Sequence, residues 1–135
     1  MWAATIVTAA DAEICVCVID DDAGIRDLVS RVLRRAAFAT VEAHDGVDGL
    51  NAVERSNANI VVTDMTMPNG GGAFVIPELK RRFPRVRILA MSGGDVAGRN
   101  FRDVATELGA DDCLSKPFRL ADLVGKVSAL AIAQP

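Results

Sequence analysis

Short apolar runs alternate with helix-period stripes along the whole chain, and this alternation restricts the fold more than any other feature. Ile14 to Ile19 is continuously apolar or Cys, which suits a strand buried on both faces. Ile25, Leu28, Val29, Val32 and Leu33 then recur at helical spacing and predict an amphipathic helix. A strand over Ala39 to Ala43 follows, with a helix from Gly46 to Arg55 carrying Val47, Leu50 and Val53. Ile60 to Thr63 is the third strand, and Gly72 to Phe83 its helix, with Val75, Leu79 and Phe83 inward. Val86 to Met91 pairs with a helix through Phe101, Val104, Ala105 and Leu108, closed by Gly109. Asp112 to Ser115 pairs with a last helix through Leu120, Leu123, Val124, Val127 and Leu130. Strand-then-helix units in series imply an α/β fold, a mostly parallel sheet with helices on both faces. Pro77 conflicts with this pattern, because a proline inside a helix removes a donor and crowds the preceding turn. The third helix is expected either to kink there or to start later.

The chain has 135 residues, one domain by size, and can bury roughly two thirds of its unfolded surface without a disulfide or metal staple. Half of it is hydrophobic with no Tyr and one Trp, so the core must be aliphatic. Net charge is −3 with both signs interspersed, and no basic run is interleaved with aromatics, so no nucleic-acid partner is expected. No segment approaches ~20 continuous apolar residues, so no membrane association is expected either. Residues 1–12 lack the positive start and the long apolar stretch of a signal peptide and read as a flexible tail before a domain over 13–135. Cys15 and Cys17 share one face of a strand and read as buried, inert thiols, and the three cysteines together argue for a reducing, cytoplasmic compartment. No stretch is left over for an output domain, so a stand-alone protein is expected.

In a parallel sheet all strand carboxyl ends open on one edge, where such folds bind ligands. That edge receives Asp20, Asp21 and Asp22 after the first strand and Asp64 after the third. It also receives Ser92, before Gly93 and Gly94, and Lys116, before Pro117. Crowded carboxylates repel by about 4 kcal/mol per pair at ~4 Å and an effective dielectric of 20. Such a cluster is stable if protonated, splayed into water, or holding a hard cation, and oxygen ligands of this kind suit Mg²⁺. Lys116 offers a point charge to a phosphoryl oxygen, Ser92 a small donor, and the two glycines leave room for an anion. Each residue has an ordinary explanation as well. An Asp between strand and helix is commonly an N-cap, which accounts well for Asp22. His44 and Asp45 before Gly46 read as a turn.

These residues, Val-Ile-Asp-Asp-Asp ending at Asp22, Asp64-x-x-Met67-Pro68 with Gly72 beyond it, Met91-Ser92-Gly93 and Lys116-Pro117-Phe118, stand in the order of a known family. From Cys15 to about Leu130 the chain resembles the receiver domain of two-component response regulators. The resemblance implies a flavodoxin-like (CheY-like) sheet of strand order 2-1-3-4-5. It implies that Asp64 is the phosphoacceptor, charged by a sensor histidine kinase or phosphotransfer protein. Mg²⁺ would be held by Asp20, Asp21, Asp64 and the Thr66 backbone carbonyl, with Asp21 the closer ligand and Asp20 acting more through water. Lys116 would pair with the phosphoryl group and Ser92 would swing toward it. The downstream protein target is unspecified, and no conventional enzyme activity is implied.

One position departs from the family pattern. Three residues before the Lys, where the family usually carries an aromatic ring, this chain has Cys113. A thiol cannot alternate between outward and inward positions as a ring does, so coupling from Asp64 to that face is expected to be weaker or to use other residues. Two further readings stay open at this stage. One is a haloacid-dehalogenase-like phosphatase using Asp20 and Asp22, opposed by Ala23-Gly24 and by the short chain. The other is a degenerate receiver used only as an interaction module, opposed by the intact acids, Ser92 and Lys116.

Overall fold

The structure, a computed structural model, describes residues 14–132. The tail expected over 1–12 lies outside them. Strands β1 (Cys15–Ile19), β2 (Ala39–Ala43), β3 (Ile60–Asp64), β4 (Arg87–Ser92) and β5 (Asp112–Ser115) alternate with five helices. These are α1 (Ala23–Arg35), α2 (Gly46–Ser56), α3 (Gly72–Arg82), α4 (Phe101–Leu108) and α5 (Leu120–Ile132). The strands form one parallel sheet in the order β2-β1-β3-β4-β5, as the family resemblance implied. Among the described residues no helix is long and apolar enough to cross a membrane.

Two apolar layers cover the sheet. Cys17, Ile19, Val61 and Ile88 face Leu50, Val53, Val75, Leu79 and Ala105 of α2, α3 and α4. Val16, Val18, Val62 and Met91 face Val29 and Leu33 of α1 and Leu123 and Val127 of α5. β3 lies at the centre and is buried at every position, which is why Ile60 to Thr63 is an unbroken β-branched run. Its register positions the functional edge. Ile19 pairs with Thr63, so the next residues, Asp20 just beyond β1 and Asp64 at the end of β3, come side by side. Ser92 pairs with Ser115, which sets Lys116 one step beyond Ser92.

Several local expectations need correction. Val47 and Leu28 are exposed (56% and 41%) rather than packed on the sheet. α2 lies so close to β1 that glycine faces it: a Cβ on Gly49 would fall 2.4 Å from Ile19 Cδ1. Leu50 and Val53 complete that face, which leaves Val47 turned outward. On α1 the inward positions are taken by Val29, Ser30 and Leu33. α3 starts at Gly72 and runs through Pro77, so the later start is excluded. Pro77 and Ala73, whose carbonyl loses its helical donor to the proline, both face solvent, which makes the residue tolerable there. Val86 belongs to a turn, its N–H donating to the Phe83 carbonyl at 3.0 Å, and β4 begins at Arg87. Gly109 closes α4 with φ +116°, as its position suggested.

Candidate functional site

The three consecutive aspartates after β1 sit in three different environments. Asp20 is fully buried, and each of its polar groups is held by a different part of the chain. Its N–H donates to the Ala43 carbonyl at 3.2 Å, and its own carbonyl accepts from Arg26 Nη1 at 2.8 Å. Its carboxylate accepts from the Asp22 N–H at 2.9 Å and from Lys116 Nζ at 2.9 Å. Asp21 is exposed. Asp22 is the N-cap of α1, its carboxylate accepting from the Gly24 and Ile25 N–H groups at 2.9 and 3.1 Å. A phosphatase built on Asp20 and Asp22 would need that second carboxylate for proton transfer, and here the helix end occupies it.

Asp64 ends β3 and is nearly buried (8% exposed). Carboxylate oxygens of Asp20, Asp21 and Asp64 lie within 4.8 Å of one another. Lys116 reaches this group from the end of β5, its Nζ 2.9 Å from Asp20 and 3.6 Å from Asp64. Its backbone N–H donates to the Ser92 carbonyl at 2.8 Å, which anchors the base of the side chain. Burial pushes the Asp64 carboxyl above its usual range. Lys116 and a hydrogen bond from the Thr66 N–H pull it back, while Asp20 and Asp21 push it further up. Burial also opposes the Lys116 ammonium, but the hydrogen bond to Asp20 and the charge of Asp64 outweigh it and hold its pKa above the ordinary lysine value.

Thr66 reaches Asp64 because the loop after β3 folds back tightly. The Gly72 N–H donates to the Met65 carbonyl at 3.0 Å. A Cβ on Gly71 would fall 2.4 Å from that same oxygen, and Gly70 has φ +90°, so side chains are excluded where the loop closes.

Ser92, by contrast, is engaged by its own loop. Its hydroxyl donates to the Gly94 carbonyl at 2.7 Å and accepts from the Gly94 N–H at 3.2 Å. Gly93 and Gly94 border open space, since a Cβ on Gly94 would meet nothing within 4 Å. Beyond them Val96 and Arg99 exchange backbone hydrogen bonds across Ala97 (φ 51°) and Gly98 (φ 75°), a tight turn that ends just before α4. Ser92, Gly93, Gly94, Phe101, Arg102 and Lys116 border a cavity of about 210 Å³.

Cys113 is buried and packs with the core under α4. Over it Arg102 reaches from α4 to β5, donating to Ser115 Oγ at 3.0 Å and to the Cys113 carbonyl at 3.5 Å. None of the three cysteines is in a disulfide. Burial, reinforced by Cys15, pushes the Cys17 thiol up to about 12, and burial raises Cys113 as well, so both are protonated and inert at neutral pH. Asp45 caps α2, accepting from the Asp48 N–H at 2.8 Å, which makes the His44-Asp45-Gly46 segment the expected turn.

Sequence reasoning passed over Arg26 and its partner Glu42, whose Oε1 lies 3.1 Å from Arg26 Nε. A signal was available. Arg26 lies in the first turn of α1, where the helix dipole disfavours a cation, so another interaction had to hold it there.

The site therefore combines an all-oxygen acidic pocket with a cation bridging two of its carboxylates, at the edge where parallel sheets bind ligands. Comparison with known proteins agrees with this architecture. The sequence profile of the response regulator receiver domain matches residues 16–128. Response regulator MprA of Mycobacterium avium (strain 104) is 32% identical over 113 residues, covering 84% of this chain and 49% of that protein. MprA of Mycobacterium leprae (strain TN) is 32% identical over 112 residues, covering 83% and 48%. The chain thus spans about half the length of these relatives. Among solved structures, the Francisella response regulator 1452 receiver domain superposes with TM-score 0.82 at 24% identity, covering 91% of this chain and 100% of that one. The NtrX receiver domain from Brucella abortus gives 0.78 at 26%, covering 87% and 98%. With motifs, sheet order and sequence match in agreement, the chain belongs to the response regulator receiver domain family of two-component signalling.

Proposed function

We propose that this receiver domain is switched by phosphorylation of Asp64, the phosphoryl group coming from a sensor histidine kinase or a phosphotransfer protein. The observation that carries the reading is the Lys116 ammonium set between the buried Asp20 and Asp64 carboxylates, with Asp21 beside them. Three carboxylates against one cation leave an excess of negative charge, and an all-oxygen donor set suits Mg²⁺. Asp20, Asp21, Asp64 and the Thr66 carbonyl would hold the ion, with Asp20 acting more through water. Bound there, the ion would supply neutralisation of the charge on the transferring phosphoryl group.

The chain's own groups account for the rest. An Asp64 oxygen attacks phosphorus as the donor leaves with the electron pair of the broken bond. Such a transfer is mainly positioning and electrostatic stabilisation. The Thr66 N–H orients the carboxylate. Lys116 pairs with a phosphoryl oxygen as negative charge grows beside it. Ser92 leaves the Gly94 carbonyl and donates to the phosphoryl group instead, which favours an altered loop before α4 by the difference between those two hydrogen bonds. The signal then passes by protein contact or by onward phosphate transfer. A beryllofluoride complex tests this directly. With Mg²⁺, amide shifts should concentrate at Asp64, Thr66, Ser92 to Gly94 and Lys116, and Asp64→Asn should abolish them. Equal shifts in Asp64→Asn would sink the assignment.

A further inference from the structure

Resting on the Mg²⁺ reading above, we infer that Arg26 is a positioning residue for the metal site, holding the peptide that joins Asp20 to Asp21 while Glu42 holds Arg26. Arg26 Nη1 donates to the Asp20 carbonyl at 2.8 Å, and its Nε meets Glu42 Oε1 at 3.1 Å. The Asp20 carbonyl and the Asp21 N–H belong to one rigid peptide plane. Fixing that carbonyl therefore sets the direction in which Asp21 leaves β1. Asp21 is exposed, and its side chain has none of the contacts that hold the Asp20 carboxylate to the Asp22 N–H and Lys116. Its aim depends on the backbone beneath it. Glu42 lies on β2, so the guanidinium ties the first turn of α1 and the neighbouring strand to this peptide.

A second physical effect works in the opposite direction, which makes the inference decidable. A cation near an acidic pocket repels Mg²⁺, so a pure charge effect makes Arg26→Gln bind Mg²⁺ more tightly. Arg26 is already neutralised by Glu42, so the positioning effect should win. Partners that orient metal ligands typically contribute tenfold to a hundredfold in affinity.

The experiment is a Mg²⁺ titration followed by calorimetry and amide shifts on wild type, Arg26→Gln, and the charge-balanced pair Arg26→Gln with Glu42→Gln. Thermal melting without Mg²⁺ is read in parallel. Val32→Ala, on the far part of α1, is a control for loss of stability alone. Both Arg26 variants should bind about tenfold more weakly, and Val32→Ala should bind as wild type does. The paired variant leaves no lone charge and serves if Arg26→Gln alone does not fold. Tighter or unchanged binding by Arg26→Gln, or wild-type binding by the pair, overturns the inference while leaving the metal reading intact. Absence of Mg²⁺ binding in wild type, or undiminished binding in Asp64→Asn, overturns both.

Discussion

Asp64 carries a cost in the resting protein that its chemistry puts to use. Burial raises its carboxyl pKa, so ionisation is harder in the folded chain than in the unfolded one. Between the unfolded value near 3.8 and the raised folded value, the folded state binds more protons. Stability from this group therefore falls as pH rises through that window, and the ionised carboxylate is a net penalty at neutral pH. Without Mg²⁺, Asp64→Asn should melt above wild type at neutral pH, by on the order of a few °C. The gap should close as pH falls through the Asp64 titration. A neutral-pH melting point below wild type would mean that the Lys116 interaction outweighs burial.

Asp22 belongs to the same scale and separates the roles of three adjacent, chemically identical residues. As the α1 cap, its replacement by Ala should cost about 1 kcal/mol in chemical denaturation. Mg²⁺ affinity should stay near wild type. The acids were legible in the sequence because each follows a strand at the same edge. Arg26 was legible only as a cation in the first turn of α1, since a link to a backbone carbonyl leaves no motif. The orientation of Ser92 was also hidden, because a serine before two glycines is compatible with facing either its own loop or a phosphoryl group.

At the level of elements, strand and helix positions followed from apolar periodicity, with ends shifted by a residue where turns intervene. Val86 shows why: its hydrophobicity suits a strand, but its N–H is engaged by the Phe83 carbonyl. Val47 shows a different limit. Periodicity treats a helix as though side chains alone meet the sheet, whereas α2 meets β1 through Gly49. The α4–β5 pair carries the departure at Cys113. With no ring there and Arg102 tying α4 to Ser115, the wild type should show small beryllofluoride-induced amide shifts over α4, β5 and α5 compared with those around Asp64. Cys113→Tyr should enlarge them. Full-sized shifts on that face in wild type would contradict this expectation.

At the level of the whole molecule, two cores on opposite faces of one sheet support the edge where the site lies. Leu33, under α1, and Leu79, under α3, are both fully buried and belong to different cores. Each Leu→Ala change should cost about 2–5 kcal/mol by denaturant titration, and the double variant should come close to their sum. A strongly non-additive result would mean that the sheet does not insulate the two layers. The parallel layout was legible in the alternation of elements. The order 2-1-3-4-5 was not, because periodicity does not say which strands are neighbours, and it came from the motif resemblance.

The most direct test of the central claim is the stoichiometry and location of phosphorylation. Incubation with acetyl phosphate and Mg²⁺, followed by intact-mass and peptide mass spectrometry, should show one phosphoryl group per chain on Asp64. The label should be acid-stable, hydroxylamine-labile, lost on chelation of Mg²⁺ before the reaction, and absent in Asp64→Asn. Labelling elsewhere in the chain, unchanged labelling of Asp64→Asn, or no Mg²⁺-dependent labelling at all would contradict the assignment of Asp64.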